Sequence, residues 1–294
     1  MISRRREGSV ISLASRHRRD AMMVGAMIVA VVLAIVPLGF ILAEVIAKGV
    51  GQLSASFFTQ PEPFVATASG GGFGAGIRGT IKMVVLGTVV AVPIGVLAAV
   101  YLSEYDPRGP LATVVRFFAD VMTGIPSIFV GIFVFTAIVL ATHAFSSWAG
   151  GLALGILMLP VIVRTSEEAL RLVPGALREA SLALGVRRWR TIVSVILPTA
   201  LPGITTGALL AIARAAGETA PLLLTAFGNQ LLVGWGSWNG PEAALTLEIF
   251  TNSRSPFPAQ QARAWTGALV LILGILILSL AARAVVARRA RGSR

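Results

Sequence analysis

Twenty-three consecutive residues, Ala21 to Ala43, carry no formal charge, and that run restricts the chain to one broad class of fold. A helix of about 20 apolar residues spans the roughly 30 Å hydrocarbon core of a bilayer. The feature recurs: Met83 to Ser103 gives 21 uncharged residues and Ala264 to Ala282 gives 19. Val121 to Val163 gives 43, enough for two spans, with the turn between them expected over 143–151 and Trp148 as an interfacial anchor. A further span is expected from Pro198 and Pro202 to about Leu224, interrupted by Arg214 and Glu218. The expectation is an all-α integral membrane protein with six transmembrane helices. Charged residues make up 13% of the 294 and hydrophobic ones 55%, so the chain has about half the charge that a soluble globule carries.

The net charge of +12 comes from 25 basic and 13 acidic residues. The arginines gather at the ends of apolar runs, which fits topogenic charge rather than a nucleic-acid surface, and no nucleic-acid partner is expected. Counted by alternate loops, 19 Lys and Arg fall on one side and four on the other (Lys48, Arg78, Arg254, Arg263), with Lys82 and Arg214 near or within spans. The positive-inside rule then places both termini in the cytoplasm and the chain, multi-pass, in a bacterial cytoplasmic membrane. The first apolar run exceeds the 7 to 15 residues of a signal h-region, so an uncleaved first helix is expected. The resulting division is a basic tail at 1–20, helix one at 21–47, an external Gly-rich loop at 48–76, a core at 77–283 with a cytoplasmic loop at 164–198, and a basic tail at 284–294.

Several chemistries are excluded. Cysteine is absent and the histidines are His17 and His143 alone, which leaves no disulfide, thiolate nucleophile or Cys/His metal cluster. His143 in an external turn has no partner with which to do intramembrane catalysis. Gly74, Gly76 and Gly79 match a dinucleotide fingerprint in spacing, but a membrane span follows where a βαβ unit is required, so a flexible external linker is expected. No Gly-Lys dipeptide occurs, and with it goes any phosphate-binding P-loop. The chain is expected not to be an enzyme and to bind no cofactor.

The cytoplasmic loop is more ordered in pattern than a tether. From Pro174, the residues Leu177, Ala180, Ser181 and Leu184 recur at i, i+3, i+4 and i+7, with Arg178 and Glu179 off that stripe. This predicts a short amphipathic helix ended by Gly185 as a C-cap. Glu179-Ala180-Ser181, three residues, Gly185, nine residues, Val195, one residue, Leu197-Pro198 resembles the E-A-A, G, I-x-L-P loop of ABC importer permeases. Ser181 and Val195 depart from that pattern in small ways. The resemblance implies the type I importer permease (MetI-like) fold, with the loop as a coupling helix docked on a separate ATPase subunit, which would be the subunit to use ATP and Mg.

Further segments are similar to the PstA family of phosphate importer permeases. They are Ala213 to Pro221 with its Arg214 and Gly217-Glu218-Thr219, Thr123 to Ile128, and Val100 to Tyr105. The likeness runs from about Ile77 to Arg283. The sister PstC family also carries an Arg and Gly-Glu-Thr segment, and the continuation Ala220-Pro221-Leu222-Leu223 favours PstA. The resemblance implies transport of inorganic phosphate and, as partners, a PstC-like permease, two copies of a PstB-like ATP-binding subunit and a PstS-like phosphate-binding protein. A role in reporting phosphate supply is also reasonable for the family. The alternatives are a permease for sulfate, molybdate or tungstate, or a PstC-type permease.

Arg214 lies roughly 22 to 24 Å along a helix from Pro198, a depth at which an ionised guanidinium is costly unless paired or facing water, so it is expected to face the bundle interior. Its planar fork suits a phosphate oxyanion, and Glu218 would pair with it between transport events. A permanent structural ion pair is the other reading. Thr219 belongs to the same segment. Pro126 is expected to bend or break span three, with Thr123 and Ser127 as further pathway candidates or as hydroxyls bonded to the preceding turn. Glu44, Lys82 and Asp120 lie at or near span ends, where snorkelling suffices and no function is assigned.

Overall fold

The computed structural model describes residues 13–229, 231 and 235–292. Of the two basic tails, 1–12 and 293–294 lie outside the described residues. The chain divides into two units, Met1–Lys48 and Gly49–Arg294. In the first, α1 (Leu13–Gly49) carries the opening apolar run. Its Met27, Leu33 and Phe40 side chains are exposed, as suits a helix solvated by lipid.

The second unit is built from helices: α2 (Ala55–Thr59), α3 (Gly74–Val100), α4 (Pro110–Gly124), α5 (Ser127–Val134), α6 (Leu140–Thr142), α7 (Ser147–Arg171), α8 (Gly175–Ala183), α9 (Arg188–Thr191), α10 (Leu197–Ala216), α11 (Ala220–Thr225), α12 (Leu245–Ser253) and α13 (Pro258–Gly292). Three five-residue π-helical segments, at Tyr101–Tyr105, Phe135–Val139 and Ile192–Ile196, adjoin α3, link α5 to α6 and link α9 to α10. Among the described residues five helices are long and apolar enough to cross a membrane, or six if the bent pair α4 and α5–α6 counts as one span. The six-span all-α expectation therefore holds with one span broken.

The core forms where α3, α7 and α10 meet, around Met83, Leu154, Met158, Ile162, Ala211 and Ala215. Lipid tails offer no hydrophobic drive to associate, so such helices must pack closely through small residues. Gly87 of α3 and Gly155 of α7 do this. A Cβ on Gly87 would lie 3.0 Å from the Gly155 nitrogen.

Four expectations about boundaries are corrected. The turn before α7 covers only 143–146, because His143 takes the left-handed conformation and Ser146 caps α7 by accepting from Ala149 N–H at 3.1 Å. Trp148 to Gly151 are therefore helical. The third span opens earlier, with Pro110 in the first turn of α4, and at Ile125 and Pro126 it breaks as expected, the chain turning through 107°. Proline cannot donate the helical bond, and it pushes the preceding residue to extended backbone. The fifth span starts at Arg188, passes through the π segment and Pro198, and ends at Ala216, so it neither begins at Pro198 nor reaches Leu224. Finally, Gly74, Gly76 and Gly79 are buried helical residues that open α3 rather than the end of a flexible loop over 48–76, and that stretch also contains α2.

Candidate functional site: a broken helix and a basic loop

Arg214 occupies the last turn of α10, which ends where Gly217 N–H bonds Arg214 O at 3.0 Å and Glu218 N–H bonds Ala215 O at 3.2 Å. Glu218 thus sits in a break of the helix and not one regular turn further along it. Thr219 then stands at the N-cap of α11, with Pro221 in its first turn. The break is fixed from outside, since Thr246 Oγ1 donates to Glu218 O at 2.9 Å. Arg214 Nε lies 3.5 Å from Glu218 Oε1, so the two charged groups do meet. The Glu218 side chain is mostly buried, but that of Arg214 is 52% exposed. Ala211 and Ala215 face the core, while Leu210 and Arg214 share the outward face of α10. The expectation that Arg214 faces this chain's own interior is therefore corrected: its guanidinium lies on an open face. A charge at membrane depth on such a face needs water or a second subunit opposite it.

The other pathway candidates are less concentrated. Ser127 opens α5, and α5 packs on α11 through Gly131 against Pro221. Thr123 is exposed at the end of α4 and donates to Asp120 O at 2.6 Å, so its hydroxyl serves its own helix. The structure unites Arg214, Glu218 and Thr219 at one break and leaves Thr123 at another.

In the loop over 164–198, α8 forms as its periodicity indicates. Gly185 adopts φ +76°, with its N–H on Leu182 O at 2.9 Å and Val186 N–H on Ser181 O at 3.2 Å. This is the paired closure that satisfies the last carbonyls of a helix, and it favours glycine at the left-handed position. The face that packs inward is not the apolar stripe. Leu177 and Leu184 are exposed, along with Glu179 and Ala180, whereas Ser181 is buried against Thr191 Oγ1 at 2.9 Å. Arg178, off the apolar stripe, is the residue that anchors the helix. It donates to Glu104 Oε1 at 2.6 Å and Oε2 at 3.1 Å, to Leu170 O at 2.8 Å and to Val173 O at 2.6 Å. Arg188 adds a bond to Glu104 O. Val195 lies in the π segment, and Leu197 and Pro198 begin α10, half-buried and exposed respectively.

Beside this joint, buried Glu167 of α7 gathers Arg116 at 2.7 Å, Arg171 at 2.5 Å and Arg164 at 3.5 Å, and Arg164 also pairs with Asp120. At the opposite end of α3, Lys82 and Glu242 form an ion pair that Ser147 joins by donating to Glu242 Oε2 at 2.8 Å. Lys82 is 3% exposed, so snorkelling is not its role, whereas the Asp120 side chain is 60% exposed. Sequence reasoning missed Glu104, Glu167, Lys82 and Glu242. The available signal, for Lys82 and Glu104, was a charge that borders the uncharged run 83–103.

Residues 91–291 match the family model described as binding-protein-dependent transport system inner membrane component. The phosphate transport system permease protein PstA of Yersinia pestis is 43% identical over 251 residues, 85% of this chain and 84% of that protein. PstA of Haemophilus influenzae is 40% identical over 270 residues, 91% and 94% of the two chains. PstA 1 of Mycobacterium tuberculosis strain H37Rv is 43% identical over 272 residues, 88% and 86%. Among solved structures, an inward-facing form of the MetNI methionine ABC transporter matches with a TM-score of 0.58 at 21% identity, covering 73% of this chain and 95% of that one. That likeness supports the fold alone. The chain belongs to the binding-protein-dependent transport system inner membrane component family and, within it, to the phosphate transport system permease proteins of the PstA type.

Proposed function

We propose that this chain is the pathway-forming permease subunit of an ATP-driven importer of inorganic phosphate. The single observation that carries the proposal is the guanidinium of Arg214, set at a helix break on an open face with Glu218 3.5 Å away. A planar fork suits bidentate contact with an oxyanion. A carboxylate within reach competes with the substrate and keeps its binding reversible. Thr219 stands at the same break, and Ser127 and Thr123, which flank the turn at Pro126, are the further polar contacts for the substrate.

The chain offers no P-loop for ATP, so hydrolysis falls to a partner. Helix α8 presents Leu177, Leu182 and Leu184 outward, an apolar ridge suited to a groove on an ATP-binding subunit. Glu179, Ala180, Ser181, Gly185, Val195, Leu197 and Pro198 then form the coupling element. The complement is a PstC-like permease facing Arg214, two PstB-like ATPases that use ATP and Mg, and a PstS-like phosphate-binding protein on the external face. The Glu104 end is the cytoplasmic one, with both termini on that side.

The test is uptake of labelled phosphate in cells lacking this chain. Restoration by the wild-type chain, resistant to excess sulfate or molybdate, is the expected outcome. Uptake that either anion competes away would assign the pathway to another oxyanion.

A further inference from the structure

The Gly74 end of the bundle holds a cluster of ionisable groups that the transport proposal leaves unused. Glu62, Glu248, Asn252 and Arg263 are all buried, each no more than 6% exposed. Glu62 is well provided for. It accepts from Asn252 Nδ2 at 3.1 Å and Gln260 Nε2 at 3.1 Å, and Arg263 Nη2 lies 3.7 Å away. Arg263 is further held by Ala68 O at 2.8 Å.

Glu248 has no such company. Neither of its carboxylate oxygens, nor Oδ1 of Asn252, makes a hydrogen bond of good geometry, although all three are buried. Its closest neighbour is the backbone of Gly76 in the first turn of α3, where an added Cβ would fall 2.1 Å from Oε2. Glu248 also lines a cavity of about 530 Å³ with Glu62, Phe64, Leu223, Phe227 and Leu231. Two carboxylates against one guanidinium leave one negative charge in excess; beside the three acceptors, the buried atoms without a hydrogen bond include two donors, Nε and Nη2 of Arg263, the latter 3.7 Å from Glu62. Burying an ion there is strongly disfavoured.

A single proton resolves both problems, because it removes the charge and turns one orphan acceptor into a donor. Asn252 follows Glu248 by four residues on α12, so its Oδ1 shares the face on which that donor is created. We propose that Glu248, with Glu62 and Asn252, is a proton-binding site that ties the packing of α12 against α3 to pH.

The surrounding charges agree. Burial first, then the negative charge of Glu62, push the Glu248 carboxyl up to about 8, while the Gly76 N–H pulls the other way. From α13 the facing charge is Arg263, which Glu62 engages. From α3, Arg78 donates to Gly74 O, and Lys82 further along is taken by Glu242. When the proton leaves, a second negative charge faces Glu62 beside the junction where Thr80 Oγ1 accepts from Leu245 N–H at 2.8 Å. The folded value lies above the ordinary 4.5, so the native state holds more protons than the unfolded one between 4.5 and about 8. The stability contributed by this group is therefore complete below that window and lost across it as pH rises.

The experiment is infrared pH-difference spectroscopy of the full chain, copurified with its partner subunits in lipid nanodiscs, with thermal unfolding recorded in parallel. The expected result is a neutral-acid carbonyl band lost with a midpoint near 8. That band should be missing from Glu248→Gln and shifted to lower pH in Glu62→Gln. Glu248→Gln should also flatten the decline in stability. If Glu248→Gln fails to assemble, the Glu62→Gln midpoint decides alone, and an unmoved midpoint overturns the proposal. A wild-type protein without the band at neutral pH overturns it too. So does sodium or calcium raising the melting temperature of the wild type but not of Glu248→Gln, since a metal cation would then be the occupant.

Discussion

Arg178 lays its guanidinium across the carboxylate of Glu104, 74 residues earlier in the chain, with contacts of 2.6 and 3.1 Å. The same guanidinium caps Leu170 O and Val173 O at the end of α7. One side chain therefore ties α8 to the ends of two spans, and a push on α8 reaches α3 and α7 through it. Glu104 is 7% exposed and the Arg178 side chain 25%, so removing one partner strands a buried charge.

Arg178→Ala should destabilise the subunit by about 3 kcal/mol, the lower end of the range for breaking a buried pair, because Arg178 retains some contact with water. In assembled complex, ATP hydrolysis should persist while substrate transport falls at least tenfold. Paired ATPase and transport assays on the same proteoliposomes check this, and an equal loss of both would remove the mechanical role.

Lys82→Met should be more damaging to folding than its position near a span end suggests. It leaves Glu242 buried and unpaired, at a cost of roughly 3 to 5 kcal/mol. The double variant Lys82→Met with Glu242→Gln should recover most of that, because no charge is left stranded. Membrane abundance and thermal unfolding of the single and double variants measure it. A double variant no better than the single would show that the pair contributes through something other than its charges.

Gly185→Ala forces a side chain into the left-handed conformation at φ +76°, which costs about 1 kcal/mol. That is too little to unfold the bundle. The expected effect is local: α8 frays at its end and capture of the ATP-binding subunit weakens. Copurification of that subunit at wild-type permease abundance is the readout, and undiminished capture would show that the cap does not control docking.

The spans were legible because a bilayer demands long uncharged runs and no fold-specific contact is needed to see them. The end of α8 was legible for a similar reason, since Gly185 answers a purely local demand. The break at Pro126 was visible as a proline but its 107° turn was not, because neighbouring helices decide whether such a helix bends or re-enters. The inward face of α8 was not legible, for a different reason. Hydrophobic periodicity marks Leu177 and Leu184, yet they are exposed and Arg178 packs inward. Apolar residues on an exposed face look the same in sequence as those in a core. Lys82 and Arg263 were hidden by the rule that found the topology, which counts basic residues at span ends without asking what they touch. Arg214 was singled out as a charge within a span, but only the structure shows that it lies in the last turn of α10, shares the outward face with Leu210 and meets Glu218.

The most direct test of the phosphate pathway is uptake of labelled phosphate by Arg214→Lys and Arg214→Ala, each at wild-type membrane abundance and with ATPase coupling intact. Lysine keeps the charge and loses the two-pronged fork. The expected result is loss of uptake in Arg214→Ala and a reduction of at least tenfold in Arg214→Lys. Wild-type uptake in both variants would contradict the assignment of Arg214 to the substrate and leave its contact with Glu218 as a structural ion pair.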